Sequence, residues 1–394
     1  MTLRKFLFWL HLIAGLGAGL VIAIMSFTGA ALAFEKEIIA FAENDVSRMA
    51  PPTLDASRPS LDEILQRVRT AQPDARPTSI TVTSDPTSAI ALALGRDSTI
   101  YADPSTGNVR TSPAPRTRSF LRLMNVWHRS LALSGDQRPL GRALTGACNA
   151  AFLFLALSGL WLWWPRKWRT KGLKRSLIFL RGTTGKARDW NWHNVIGFWS
   201  LPILVALTTS GMVISYRWAN NLVYQLAGET PPVQGQGAAG GRGANAAEKI
   251  PPPSPDARPL GSDALIASAQ KNFPAWETIT LNLASRSASE IEISRAPVTL
   301  SLRLPGTWPR TATTTLTLDP FTGAPLKTET FADLTPGRRA RTWLRFLHTG
   351  EALGWPGQLV AALASLGACV LVYTGFALAW HRFFIRPKEQ KQSA

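Results

Sequence analysis

Four stretches of the chain are almost free of charge: Phe6 to Phe34, Ala143 to Trp164, Val195 to Tyr216 and Leu359 to Trp380. A helix rising about 1.5 Å per residue needs about 20 apolar residues to cross roughly 30 Å of hydrocarbon, and each stretch meets that length. The pattern predicts four spans, within segments 6–34, 140–164, 191–216 and 357–380. Between them the period changes. Ser60 to Val68 opens as an N-capped amphipathic helix. Ser79 to Thr83 and Ala89 to Leu94 then alternate as strands, and Thr99 to Ala102 leads into the turn Asp103-Pro104-Ser105-Thr106-Gly107. The same order recurs later: Ser262 to Asn272 is helical in pattern, Glu290 to Ile293 and Leu300 to Leu304 are strand-like, and Thr313 to Leu318 ends in Asp319-Pro320-Phe321-Thr322-Gly323. A Gly- and Pro-rich linker, residues 229–257 with its core at Gly235 to Gly243 and Pro251 to Pro255, precedes this second set.

The net charge of +18 is distributed as a topology signal. Arg166, Lys167, Arg169, Lys171, Lys174, Arg175, Arg181, Lys186 and Arg188 fill the loop 165–190, opposed only by Asp189; Arg4, Lys5, Arg382, Arg386, Lys388 and Lys391 lie near the two ends of the chain. If the spans alternate in direction, all three groups share one side, which the positive-inside rule makes the cytoplasm. Trp161, Trp163, Trp164, Trp168, Trp190, Trp192 and Trp380 gather at the same border, as an interfacial aromatic belt does. A basic run used in this way argues against a nucleic-acid partner. The expected location is a bacterial inner membrane, with both termini and the tail 381–394 cytoplasmic and two large loops, 35–139 and 217–356, periplasmic. Ala31-Leu32-Ala33 imitates a signal-peptidase site, but the apolar run before it exceeds the roughly 7 to 15 residues of a signal h-region, so the first span is expected to be a retained anchor.

The spans repeat as well. In the first, His11 precedes Gly15 and the pair Thr28-Gly29; in the third, His193 precedes Gly197 and Ser210-Gly211 at the same spacing. The second and fourth share Ser158-Gly159 and Thr374-Gly375, with Trp164 and Trp380 equally far on. Leu121 to His128 parallels Trp343 to His348. The expected fold is a four-helix membrane bundle with internal duplication and two periplasmic α+β domains, each carrying a histidine segment at its end.

Four of the five histidines occupy equivalent positions in the two halves. His11 and His193 fall near the cytoplasmic ends of spans one and three; His128 and His348 fall on short outer helices ahead of spans two and four. One pair per face suits a planar metal macrocycle with an imidazole nitrogen at each axial position, and Gly15, Gly17, Gly19 and Gly197 would let a flat ring approach the backbone. Zinc fits poorly: no carboxylate lies in the spans, and the two cysteines, Cys148 and Cys369, are within spans and read as packing residues. The alternative for any one histidine is a polar residue hydrogen-bonded between helices. His381 has no repeat partner and reads as an interfacial residue, with a spare-ligand role as the alternative. Arg116, Arg118 and Arg122 precede His128, and Arg338, Arg339, Arg341 and Arg345 precede His348; guanidinium forks suit haem propionates or an anionic iron chelate, whereas the plain alternative is exposure near headgroups. Asn149 and Pro202 read as packing features within spans.

The repeated Asp-Pro-x-Thr-Gly turns, the His-x-x-x-Gly of spans one and three and the outer histidine segments together resemble the PepSY-associated transmembrane family, over nearly the whole chain apart from the Gly-rich linker. The resemblance implies an inner-membrane ferric-siderophore reductase with two haems b, held by His11 with His193 and by His128 with His348. Arg122 and Arg345 are then the candidate propionate contacts. No catalytic acid, base or nucleophile is expected, because the cofactor carries the chemistry. No nucleotide fingerprint is present, so electrons are expected from a separate cytoplasmic reductase or quinol, and ferric siderophore is the expected acceptor. Three rivals stand beside this: a peptide-binding or regulatory protein without redox activity, a carrier of iron chelates, and a haem oxidoreductase for a quinone or another periplasmic partner.

Overall fold

A computed structural model describes residues 2–49, 58–95, 98–165, 170–232, 249–254, 256–283 and 295–385. The strand expected at Glu290 to Ile293, the linker core Gly235 to Gly243, and Arg166, Lys167, Trp168, Arg169, Arg386, Lys388 and Lys391 lie outside these residues. In chain order the helices are α1 (Leu3–Leu32), α2 (Glu35–Ala42), α3 (Asn44–Ser47), α4 (Leu61–Ala71), α5 (Pro115–Ser130), α6 (Arg138–Trp163), α7 (Thr170–Leu177), α8 (Gly185–Ser215), α9 (Arg217–Leu226), α10 (Ser262–Asn272), α11 (Pro336–Thr349) and α12 (Trp355–Phe383). The strands are β1 (Ser79–Thr83), β2 (Ile90–Leu94), β3 (Ser98–Ala102), β4 (Val109–Thr111), β5 (Thr278–Asn282), β6 (Val298–Arg303), β7 (Thr314–Leu318) and β8 (Pro325–Glu329). The chain forms two compact units, one helical and one built on the sheet.

The helical unit takes the residues up to Glu35, Leu121–Val223 and those from Ala340 onward. Among the described residues four helices are long and apolar enough to cross a membrane: α1, α6, α8 and α12. Each packs against two others, in the ring order α1, α6, α8, α12, so that α1 and α8 stand on one diagonal. Polar contacts tie the helix ends. Arg4 Nη2 donates to Leu162 O at 2.5 Å, placing a cation at the carbonyl end of α6. The Arg382 guanidinium lies over the Phe8 ring at 4.8 Å, and at the other end Gln358 Nε2 donates to Ala33 O at 2.8 Å. Ile13, Leu20, Phe27 and Leu363 are exposed, giving the outward face that lipid covers in a bundle of this kind. The expected third span is longer than its apolar run: α8 begins at Gly185, so part of the loop 165–190 is helical and His193 lies more than a turn inside the helix. Asn191 secures that extension, accepting from Leu180 N at 3.0 Å and donating to Arg175 O at 2.7 Å.

The sheet unit takes Lys36–Phe120 and Tyr224–Arg339. Its eight strands are antiparallel in the order β4-β3-β2-β1-β5-β6-β7-β8. The two expected α+β domains are therefore joined in one continuous sheet. β1 pairs with β5 over five residues, Thr81 opposite Thr280, and the two hydroxyls of that pair lie 2.9 Å apart. The physical reason is a shared core. Ile80, Leu92 and Ile100 from the first half and Ile279, Leu300 and Leu316 from the second bury into one apolar cluster under α4 and α10. Each such side chain contributes about 1.5–3 kcal/mol on burial, which neither half would gain with an open strand edge. The two helices also cap each other. Asp263 Oδ2 accepts from Leu61 N at 2.8 Å, and Asp62 accepts from Ser262 N at 2.9 Å and Ser262 Oγ at 2.6 Å.

The two Asp-Pro-x-Thr-Gly segments form the same turn. Asp103 Oδ1 accepts from Ser105 N at 2.7 Å and Asp319 Oδ1 from Phe321 N at 2.7 Å, while Gly107 and Gly323 sit at φ of +70° and +68°. Only glycine adopts that conformation without strain. One fully buried carboxylate organises the first half: Glu43 receives Arg118 Nε at 2.5 Å, Arg118 Nη2 at 2.6 Å, Tyr101 Oη at 2.6 Å and the Ser112 hydroxyl. Burial opposes its ionisation, but the bonds from Arg118, Ser112 and Tyr101 outweigh it and hold the carboxyl below its usual range. Burial and the bond to Glu43 push the Tyr101 phenol up to about 12.

Candidate functional site

His128 and His348 both belong to the helical unit, although the sequence placed their segments with the outer domains. His128 sits near the end of α5. Leu131 and Ala132 follow it at φ of +51° and +61°, a left-handed step that turns the chain back into α6. Ser130 O lies so close to Gly141 that any side chain there would collide with it. On the other half Gly350, at φ +76°, makes the turn between α11 and the start of α12. These reversals press the two histidines against the ends of α1 and α8. His128 Nδ1 lies 2.9 Å from Met25 O and 3.2 Å from Thr28 Oγ1; His348 Nδ1 lies 3.0 Å from Leu207 O and 3.1 Å from Ser210 Oγ. The two rings stand 6.2 Å apart, centroid to centroid, at 58°. Burial, then the neighbouring His348, lowers the His128 imidazole to about 4, and burial likewise lowers His348, so both are neutral near pH 7.

His11 and His193, the second sequence-matched pair, stand on the diagonal helices α1 and α8. His11 Nδ1 lies 2.8 Å from Ser158 Oγ on α6, and His193 Nδ1 lies 2.9 Å from Thr374 Oγ1 on α12. At a rise of about 1.5 Å per residue, His11 and the Thr28 contact of His128 are about 25 Å apart along α1. Their counterparts His193 and Ser210 are spaced identically along α8.

The partners Thr28, Ser158, Ser210 and Thr374 were not foreseen as part of the site. Their signal was present: each opens one of the four Ser-Gly or Thr-Gly pairs that mark the repeat. The glycines give the rings room. A Cβ on Gly29 would stand 3.1 Å from His128 Cε1, on Gly159 3.4 Å from His11 Cε1 and on Gly375 3.7 Å from His193 Cε1.

The arginines divide. Arg118 is committed to Glu43, Arg338 donates to Glu329 at 2.9 Å, and Arg341 donates to Asn220 at 2.8 Å. Arg122 and Arg345 are both exposed. His381, in the last turn of α12, is about two turns beyond Thr374 and takes no part in the pair contacts.

What the pairs can hold follows from donor count. Among the described residues no group of three or more His, Cys, Asp or Glu is placed to hold a metal ion. A bare cation that takes four protein ligands is therefore not matched. Two opposed imidazoles match a metal that brings its own equatorial ligands, as haem does. The 6.2 Å between the rings agrees with this, since two metal–imidazole bonds of about 2 Å each, plus the distance from nitrogen to ring centre on both sides, span about that length. Trp163 Nε1, on the turn of α6 after Gly159, is buried with no partner among the described residues and is a donor left over for a bound polar group.

The fold and the site define a class: a multi-pass membrane protein whose helices bring paired histidines together. The chain belongs to the PepSY-associated TM family, whose model, described as the PepSY-associated TM region, matches residues 8–382. No curated protein matches the chain.

Proposed function

We propose that this protein is a di-haem b electron-transfer protein of the bacterial inner membrane. It passes electrons from the cytoplasmic side to a ferric siderophore outside, and so aids iron release. The observation that carries the reading is the facing of His128 and His348 at 6.2 Å with no third protein ligand among the described residues. His11 and His193 would hold one haem and His128 and His348 the other. Haem iron, when bound, supplies one-electron chemistry.

The chain's own residues do the rest. Four neutral imidazoles offer nitrogen lone pairs, and Nδ1 contacts to hydroxyls and carbonyls set the ring orientation. Cys148 and Cys369 lie in α6 and α12 with no Cys-x-x-Cys-His motif, so attachment would be non-covalent, as in a b-type haem. Arg122 and Arg345, exposed on the histidine helices α5 and α11, would pair with propionates or with the chelate. Arg4, Lys174, Arg175 and Arg382 put the His11 and His193 end toward the cytoplasm. Outward electron flow then runs with an inside-negative potential, worth about 2.3 kcal/mol per 100 mV for a full crossing. The donor would be a separate reductase or quinol.

The test is the absorbance of the purified, dithionite-reduced protein together with stopped-flow reoxidation by ferric siderophore. A low-spin b-type spectrum at two haems per chain, bleached by the siderophore, supports the reading. Absence of haem would leave a membrane-anchored binding protein, and haem that ignores the siderophore would point to a quinone or protein partner.

A further inference from the structure

We infer that Thr28, Ser158, Ser210 and Thr374 are positioning residues: their hydroxyls hold the four paired histidines in the Nδ1–H form and leave each Nε2 as the nitrogen with the free lone pair. The inference rests on the haem reading only for what Nε2 binds.

The argument is one of proton accounting. A hydroxyl has one proton and two lone pairs. In the sockets that proton goes to the helix: Thr28 Oγ1 donates to Ile24 O at 2.7 Å, Ser210 Oγ to Ala206 O at 2.6 Å, Thr374 Oγ1 to Val370 O at 2.8 Å and Ser158 Oγ to Leu155 O at 3.4 Å. At Thr28, Ser210 and Thr374 only acceptor capacity remains, so the imidazole Nδ1–H donates; Ser158, whose own bond to Leu155 O is long, follows Thr374, its equivalent in the repeat. For His128 and His348 the second acceptor is a carbonyl, Met25 O or Leu207 O, which cannot donate at all. A neutral ring with its proton on Nδ1 carries its lone pair on Nε2. Among the described residues no Nε2 of the four has a hydrogen-bond partner.

The sockets are not equivalent, and this makes the inference sharp. His128 keeps Met25 O if the Thr28 hydroxyl is lost. His11 has Ser158 Oγ as its one acceptor among the described residues. Removing an acceptor from Nδ1–H frees the ring to turn or change tautomer, and it lowers the electron donation of Nε2 to a ferric ion.

The experiment uses the full-length protein in detergent, with haem affinity measured by titration and midpoint potentials by spectroelectrochemistry. Ser158→Ala is expected to weaken haem binding at the His11 site about 10- to 100-fold and to raise that haem's potential. Ser158→Thr should restore both, which a merely structural role for the hydroxyl would not require. Thr28→Val should weaken the other site only about threefold, because the carbonyl remains. Wild-type affinity and potential in Ser158→Ala overturn the inference while leaving the haem reading intact. A wild-type chain without haem overturns the haem reading instead, and the tautomers are then read directly by ¹⁵N NMR of the histidine-labelled protein. There, an unprotonated Nδ1 at His11 or His128 overturns the inference.

Discussion

The His128 and His348 rings face each other from helices α5 and α11 at 6.2 Å, each with its Nδ1 tied to a different span, α1 or α8. Neither ring is positioned by the other; each is fixed from behind and presents its far edge. Such an arrangement makes both members of a pair necessary for holding one group between them.

Haem stoichiometry should follow the pairs. His128→Ala and His348→Ala should each lower the haem content from two to about one per chain, and the double variant should lose no more than either single one. His11→Ala combined with His348→Ala should leave none. Pyridine haemochrome assays on purified variants decide it: a double variant at one pair that loses both haems would break the pairing.

Space beside the rings should matter as much as the ligands. Gly29→Ala places a Cβ 3.1 Å from His128 Cε1, tighter than ordinary contact, whereas in Gly375→Ala the distance to His193 Cε1 is 3.7 Å, an ordinary one. Gly29→Ala should therefore weaken haem binding at the His128 site about tenfold or more, and Gly375→Ala should be close to wild type. Equal effects in a haem titration would argue that the glycines serve helix packing alone.

The buried Glu43 carboxylate sets an acid limit on the sheet unit. Arg118→Met leaves Glu43 with no cation, and stability should fall by about 3–5 kcal/mol. Because the folded carboxyl is held below its ordinary value of 4.5, its contribution is present above that pH and is lost as pH falls through the lower folded value. Tm measured from pH 7 down to 3 should drop at the acid end in wild type. Glu43→Gln, already neutral, should show a flatter profile.

Reciprocal capping predicts unequal costs. Asp62 accepts two bonds from Ser262 and Asp263 accepts one from Leu61 N. Asp263→Ala should cost about 1 kcal/mol and Asp62→Ala more, toward about 2 kcal/mol, in chemical denaturation. Hydrogen exchange in the first turn of α10 should rise in Asp62→Ala and in that of α4 in Asp263→Ala.

Much of the local structure was legible because it depends on near neighbours. The strand Ser79–Thr83 and the helix Ser262–Asn272 fall where their periodicity places them, Ser60 caps α4 by accepting from Glu63 N at 3.1 Å, and both Asp-Pro-x-Thr-Gly segments turn as their residues require. Charge-free length alone marked the four long helices, since among the described residues only these are both long and apolar enough to carry a backbone across hydrocarbon. The short strands β4, β5 and β8 were missed: β4 and β8 are three to five residues with little apolar character, whereas β5 carries a legible alternation, Ile279 and Leu281 with Thr278 and Thr280, that was passed over.

The amino-acid sequence by itself determined where helices run, where turns close and which residue types could bind a metal, because each of these is settled by residues within a few positions of one another. Only the tertiary structure decided that two strand sets form one sheet through Thr81 and Thr280, that Arg118 is paired with the buried Glu43 carboxylate, and that each histidine is held by a hydroxyl from another helix. Those are contacts between segments far apart in the chain, selected by burial and by the need of every buried polar group for a partner, and no local pattern encodes them.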